Sequence, residues 1–291
     1  MRIVVIGSNG QVGSDVTKRA RAAGLGTLPL ERKDCDVTDA ASVGRALASL
    51  EEDDVVVNTA AFHRTDACEE SPDKALSVNA IGAYRVAAAS RERKATVVYL
   101  SSDFVFDGSK RSPYLESDAP RPLNTYGMSK YAGELLVSSS NPKSYIVRIS
   151  SVFGVAGSSG KGGNFVESMV ARARAGERPQ VVDDIIMAPT SASDAATLMI
   201  ELIVKRAPYG IYHLANSGQC SWYEFANAIF ETCGSDLRAG AISASESAGK
   251  ARRPAYSVLA SEKLNTLGLE PRFWKVALTE YLQRKGHSQP A

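Results

Sequence analysis

Tyr126 and Lys130, in the run Tyr126-Gly127-Met128-Ser129-Lys130, are the pair of side chains best spaced for proton transfer. On a helix that spacing is about one turn, so both would share a face. An ammonium beside a phenol stabilises the phenolate and should lower the tyrosine pKa from about 10. Such a tyrosine can exchange a proton with a carbonyl or alcohol oxygen. Upstream, Ser101-Ser102 closes an apolar run and could bring a hydroxyl to the same oxygen. A second YxxxK, Tyr281 to Lys285, has no strand-end serine near it and reads as a chance copy. The other chemical motif opens the chain. Gly7-Ser8-Asn9-Gly10-Gln11-Val12-Gly13 follows directly on Ile3-Val4-Val5-Ile6. Glycines between a strand and a helix permit a tight turn and close approach of a pyrophosphate to the helix N-terminus. Glu31 and Arg32 stand where a second strand should end. Glu31 suits a ribose 2′-OH, as in NADH, and Arg32 suits a 2′-phosphate, as in NADPH, so the two point to different cofactors.

These groups need a frame, and the chain alternates strand and helix patterns to provide one. Strands are expected at 2–6, 27–30, 54–58, 95–100 and 144–149. Helices are expected at 11–23, from a Thr38 cap to about 50, from Pro72 to about 93, and at 126–138. Continuous apolar strands alternating with helices imply a parallel sheet covered on both faces. The expected fold is α/β, a Rossmann-like doubly wound parallel sheet with a smaller mixed α/β C-terminal substrate lobe. Residues 1–150 would form the dinucleotide-binding domain and 151–291 mainly the substrate lobe, with a return to the first domain within 180–210. In the second part, helices are expected at 164–175, 191–205, 221–233 and 273–285, and a strand at 210–214. Ligands in such folds sit beyond the carboxyl ends of the strands. Gly157 to Gly163 has a linker's composition.

The 291 residues carry 34 Lys+Arg against 32 Asp+Glu, a net charge of +2, which removes the electrostatic case for nucleic acid as principal partner. No apolar run approaches the ~20 residues of a membrane span. The N-terminal apolar run is too short for a secretory signal. Cys35, Cys68, Cys220 and Cys233 form no CxxC pair, so a reduced cytoplasmic setting is expected, with no metal and no disulfide framework. His213, within an apolar strand, reads as structural, and Trp222 and Trp274 as core aromatics. Arg172, Arg174 and Arg178 read as a solvated helix end, whereas Arg252-Arg253 suit a clamp for a diphosphate.

The glycine turn, the serine after the fourth strand and the YxxxK helix together resemble an extended short-chain dehydrogenase/reductase. Ser101-Ser102-Asp103-Phe104-Val105-Phe106-Asp107-Gly108 is similar to the S-T/S-D-Y-V-F-D-G segment of dTDP-4-dehydrorhamnose reductases. Val57-Asn58-Thr59-Ala60-Ala61, Val78-Asn79, Ser221-Trp222-Tyr223-Glu224-Phe225-Ala226 and Arg253-Pro254-Ala255-Tyr256-Ser257 extend the resemblance over nearly the whole chain. It implies reduction of the 4-keto group of dTDP-4-dehydro-L-rhamnose by NADPH or NADH. The implied catalytic set is Ser102, Tyr126 and Lys130. The implied cofactor contacts are Gly7, Asn9, Gly10, Gln11, Val12, Gly13, Arg32, Asp36, Val37, Ala60, Ala61, His63 and Asn79, with Tyr126 and Lys130. The substrate side would add Asp103, Phe104, Ser151 and Arg253. Two positions depart from the family pattern: Ser151 stands where a tryptophan is expected, and Asp184-Ile185 replaces Asp-Gln. A nucleotide-sugar epimerase on the same frame, and a non-catalytic dinucleotide-binding regulatory subunit, are the alternative readings. Some relatives dimerise, so a homodimer is compatible with the resemblance.

Overall fold

The computed structural model describes residues 1–157, 163–247 and 249–288. Most of the expected linker, residues 158–162, lies outside them. The chain opens β1 (Arg2–Ile6), α1 (Gln11–Ala22), β2 (Gly26–Leu30), α2 (Ala40–Ala46) and β3 (Val55–Asn58). It continues through α3 (Thr65–Glu70), α4 (Pro72–Leu76), a π-helical stretch Ser77–Gly82, α5 (Ala83–Glu92), β4 (Thr96–Ser102), α6 (Thr125–Ser140) and β5 (Ser144–Ile149). Beyond these come β6 (Val152–Phe153), α7 (Phe165–Arg174), β7 (Gln180–Val182), β8 (Ile186–Met187), β9 (Thr190–Ser191), α8 (Ala192–Val204) and β10 (Gly210–His213). The chain finishes with β11 (Cys220–Ser221), α9 (Trp222–Thr232), β12 (Gly240–Ile242), α10 (Glu262–Thr266) and α11 (Trp274–Arg284).

Six strands form one sheet in the order β2-β1-β3-β4-β5-β10, and every pairing is parallel. This is the Rossmann-like sheet. Val4, Val56, Val98 and Ile146 are almost wholly buried, as strands covered on both faces require. One face packs under α1 and α8, the other under α2, α5 and α6. A third apolar cluster unites α7, α9 and α11 into the smaller lobe. There Ser221 caps α9 in a reciprocal box with Glu224, as that spacing predicts. The order reverses at β1, with β2 on one side and β3 on the other. The crevice beyond their carboxyl ends is therefore a topological switch point, where such sheets bind ligands.

Three local expectations differ from the structure. The helix after β2 is capped by Asp39, which accepts from Ala41 N, and ends at Ala46. Thr38 is instead drawn onto Asp36, which accepts from both its amide and its hydroxyl. The helix expected at 72–93 is interrupted by the π-helical stretch, in which Asn79 is buried. The 210–214 strand, placed by sequence order near the second lobe, is the outer strand of the main sheet beside β5.

Candidate active site

Gly7 closes β1 with φ +79°, a left-handed conformation that glycine adopts at little cost. A Cβ on Gly13 would stand 2.3 Å from the Gly7 carbonyl oxygen, so only glycine lets α1 lie this close to the turn. Thr59, just past β3, ties the two strands by donating to Ile6 O at 2.8 Å. Gly10 caps α1 without a side-chain bond, and the first-turn amides lack intrahelical acceptors. That leaves an anion site at a helix N-terminus.

The second group of residues meets on β4 and α6. Asn124 caps α6 through Gly127 N at 2.8 Å, and Glu69 accepts from Thr125 N at 2.8 Å and Thr125 Oγ1 at 2.9 Å. Gly127 lets this helix press onto the end of β4, since a Cβ there would fall 2.1 Å from Phe104 O. Tyr126 is thereby brought to the same cavity wall as Ser102, whose hydroxyl acts to lower the phenol pKa. Phe104 packs against the Tyr126 ring at 5.8 Å and 74°. Ser102 donates to Asp103 Oδ1 at 2.9 Å, while Ser150 donates to Oδ2 at 2.9 Å and Ser257 also bonds this carboxylate. Desolvation raises the Asp103 pKa, and the three serine hydroxyls oppose the rise.

Lys130 is buried, with its ammonium 4.4 Å from the centre of the Tyr99 ring. Burial lowers its pKa to about 7, opposed by the Glu134 carboxylate. Burial also raises the Tyr126 pKa far above the usual phenol range, with the Ser102 hydrogen bond opposing it. The expected lowering of the tyrosine pKa is thus reversed. Desolvation is the largest cause of both shifts, raising the phenol and lowering the ammonium.

Both motifs open onto one cavity of about 1510 Å³. All the expected site residues border it except Gly13 and Asn79, which lie one layer back. Gly13 supports the turn from beneath. Asn79 exchanges two hydrogen bonds with the Phe62 backbone and donates to Ser129 Oγ at 2.9 Å, which pins the loop after β3 to α6. The second YxxxK is occupied elsewhere: Tyr281 donates to Glu167 Oε1 at 2.6 Å, and Lys285 lies 3.8 Å from the same carboxylate.

A family model described as "RmlD substrate binding domain" matches residues 1–286. The spore coat polysaccharide biosynthesis protein SpsK of Bacillus subtilis (strain 168) is 40% identical over 284 residues, covering 98% of each chain. A dTDP-4-dehydrorhamnose reductase of Mycolicibacterium smegmatis is 35% identical over 282 residues, covering 96% of this chain and 84% of its own. The chain belongs to the dTDP-4-dehydrorhamnose reductase family. The crystal structure of such a reductase from Bacillus anthracis, in complex with NADP, superposes with a TM-score of 0.91 at 33% identity, covering 97% of this chain and 99% of its own.

Within this reductase frame the structure sorts the ambiguous residues. Arg32 borders the cavity and bonds Asp36 at 3.2 Å, whereas Glu31 pairs with Lys33 at 3.6 Å and does not border it. Arg253 also borders it, 3.4 Å from Asp66, while Arg252 does not. His213 is fully buried between Ala260 O at 2.8 Å and Arg148 Nη1 at 3.4 Å. Burial, then the Arg148 charge, holds it near pKa 3, which is the structural role expected. Trp274 is core, but Trp222 is only partly buried and borders the cavity beside Phe165, ring centres 4.7 Å apart.

Arg172 and Lys74 were missed as wall residues. Arg172 pairs with Glu177 at 3.2 Å and still reaches the cavity, so the helix end is not simply solvated. Phe165, Ser168 and Arg172 recur at helical spacing along one side of α7, a signal that was available in the sequence. Ile185 supplies an apolar patch of wall, and Ser151 reaches the wall from a left-handed turn at φ +43°.

Proposed function

We propose that this chain reduces the 4-keto group of dTDP-4-dehydro-L-rhamnose to give dTDP-L-rhamnose, with NADPH as the preferred reductant. Family membership supports the reaction. The observation that carries the residue roles is that Ser102, Tyr126 and Lys130 converge on the wall of one cavity continuous with the glycine turn.

The residues present fit a dinucleotide. Gly7, Gly10 and Gly13 leave a cradle that Cβ atoms would fill or distort, the first-turn amides of α1 point to an anion, and Arg32 suits a 2′-phosphate. NADPH bound there supplies the hydride that reduces the carbonyl. Ser102 holds the keto oxygen by a hydrogen bond. Tyr126, whose raised pKa keeps its proton at neutral pH, gives that proton to the oxygen as negative charge develops there. Lys130 stabilises the resulting phenolate and holds the ribose next to it. Asp103, Phe104, Ser151 and Arg253 line the cavity; the first three would border the sugar and Arg253 would meet the diphosphate of the substrate. In this reading 1–150 with α8 and β10 is the cofactor platform, and the rest of 151–291 shapes the substrate side. Among the described residues no helix is long and apolar enough to cross a membrane. A cytoplasmic setting is part of the same proposal.

The test is NADPH consumption with dTDP-4-dehydro-L-rhamnose by the wild-type protein and by Tyr126→Phe. The variant should lose about 100-fold or more in kcat and keep its NADPH affinity. Full turnover by Tyr126→Phe would remove the proton donor from the scheme, and silence of the wild type would favour a binding role.

A further inference from the structure

Glu134 lies one helical turn beyond Lys130 on α6 and is buried. Its carboxylate accepts from Ser101 Oγ at 2.5 Å, Arg148 Nε at 2.9 Å and Arg148 Nη2 at 2.7 Å. Arg148 is equally buried, 5.0 Å from the centre of the Phe106 ring, and its Nη1 meets His213. Three elements are strapped together by one side chain. The helix is the one that carries Tyr126 and Lys130, and Ser101 immediately precedes Ser102.

Lys130 and Arg148 are two cations in one buried layer. The groups facing Lys130 are Tyr126 and Glu134 on its own helix, Tyr99 of β4 and Cys68 of α3. Asp103 lies past the end of β4, occupied by its serines, and His63 borders the same cavity. His213, on the far side of Arg148, is held neutral at physiological pH by burial. Glu134 is thus the carboxylate placed to balance the layer.

We propose that Glu134 is a positioning residue of the reductase: it clamps α6 to β4 and β5 so that Tyr126 meets Ser102, and its buried carboxylate, one helical turn from Lys130, is the counter-charge to that ammonium. The proposal rests on the reductase reading for its catalytic consequence, but not for its electrostatic one. Burial works against the Lys130 ammonium, and Glu134 opposes it most, ahead of Cys68. A buried ion pair is by itself weak evidence even for stability, so the test must read something that stability alone does not move.

The Lys130 side chain can be titrated by NMR in the folded, 15N-lysine-labelled protein, assigned by its loss in Lys130→Arg. Glu134→Gln should lower the Lys130 midpoint by about one pH unit. In turnover the basic limb of the kcat profile should move down with it, and kcat above neutral pH should fall about tenfold. Glu134→Asp, which keeps the charge, should restore the midpoint. Ser101→Ala removes the strap to β4 and leaves every charge in place, so it should lower kcat about fivefold with the midpoint unmoved. An unshifted Lys130 midpoint in folded Glu134→Gln overturns the electrostatic half, and wild-type kcat in Ser101→Ala overturns the positioning half even if Glu134→Gln does not fold. A silent wild-type protein would sink the reductase reading, while the NMR midpoint would still decide this one.

Discussion

Replacing Arg32 by alanine should abolish discrimination between NADPH and NADH. The side chain follows the carboxyl end of β2, is 80% exposed, and borders the cavity. Two unit charges about 4 Å apart attract by roughly 1 kcal/mol in bulk water and about 4 kcal/mol in a surface-like medium. The exposure places Arg32 near the lower figure. A 2′-phosphate adds charge-assisted hydrogen bonds, but it must compete with Asp36, whose Oδ2 already accepts from Nε and Nη2 at 3.2 Å. A net gain of about 1.5 kcal/mol corresponds to a factor of about 10 in kcat/KM. The assay compares kcat/KM for both cofactors, in wild type and Arg32→Ala, at low and at high salt. Wild type should favour NADPH by about that factor, and the advantage should shrink with salt because an exposed charge is screened. The variant should treat the cofactors alike at both salt levels and keep its wild-type NADH value. Equal losses with both cofactors would mean that Arg32 serves the adenine or the fold, and an NADH preference in wild type would refute the reasoning outright.

Gly13→Ala adds a methyl 2.3 Å from Gly7 O and 2.9 Å from Thr59 Oγ1. Overpacking of about 1–3 kcal/mol should outweigh the helix propensity gain, lower Tm by several degrees and remove the Tm rise on adding NADPH; an unchanged rise would contradict the close-approach argument. His213 has a folded pKa near 3, below its unfolded value near 6.5, so below pH 6.5 the unfolded chain takes up the proton first and stability falls as pH drops. By pH 5 this costs about 2 kcal/mol. Urea unfolding of wild type and His213→Gln should show a stability difference that shifts by that amount in favour of the variant between pH 7 and pH 5, and a pH-independent difference would rule the mechanism out.

Local signals made much of the fold and the site legible. The glycine turn could be read because it begins at residue 7, straight after an apolar strand and before a helical pattern. Ser102, Tyr126 and Lys130 could be read because strand end and helical turn are both short-range facts. What escaped depends on contacts far apart in the chain. The place of β10 beside β5 is a pairing across more than 60 residues, and nothing near residue 210 encodes it. Arg172 reaches the cavity because α7 is set by the packing of the small lobe, not by the charge pattern around it.

The reversal at Tyr126 has the same origin and matters more for the chemistry. By spacing alone Tyr126 has one neighbour, Lys130, whose charge would lower the phenol pKa. In the folded protein desolvation pushes the phenol up and the ammonium down. A lowered pKa would have prepared a base, ready to take a proton from an alcohol. A raised one suits the proposed acid, which would meet the carbonyl with its proton in place. The remaining requirement is a cation that stays charged long enough to receive the phenolate, which is why the anion one turn beyond Lys130 belongs to the same argument as the tyrosine one turn before it.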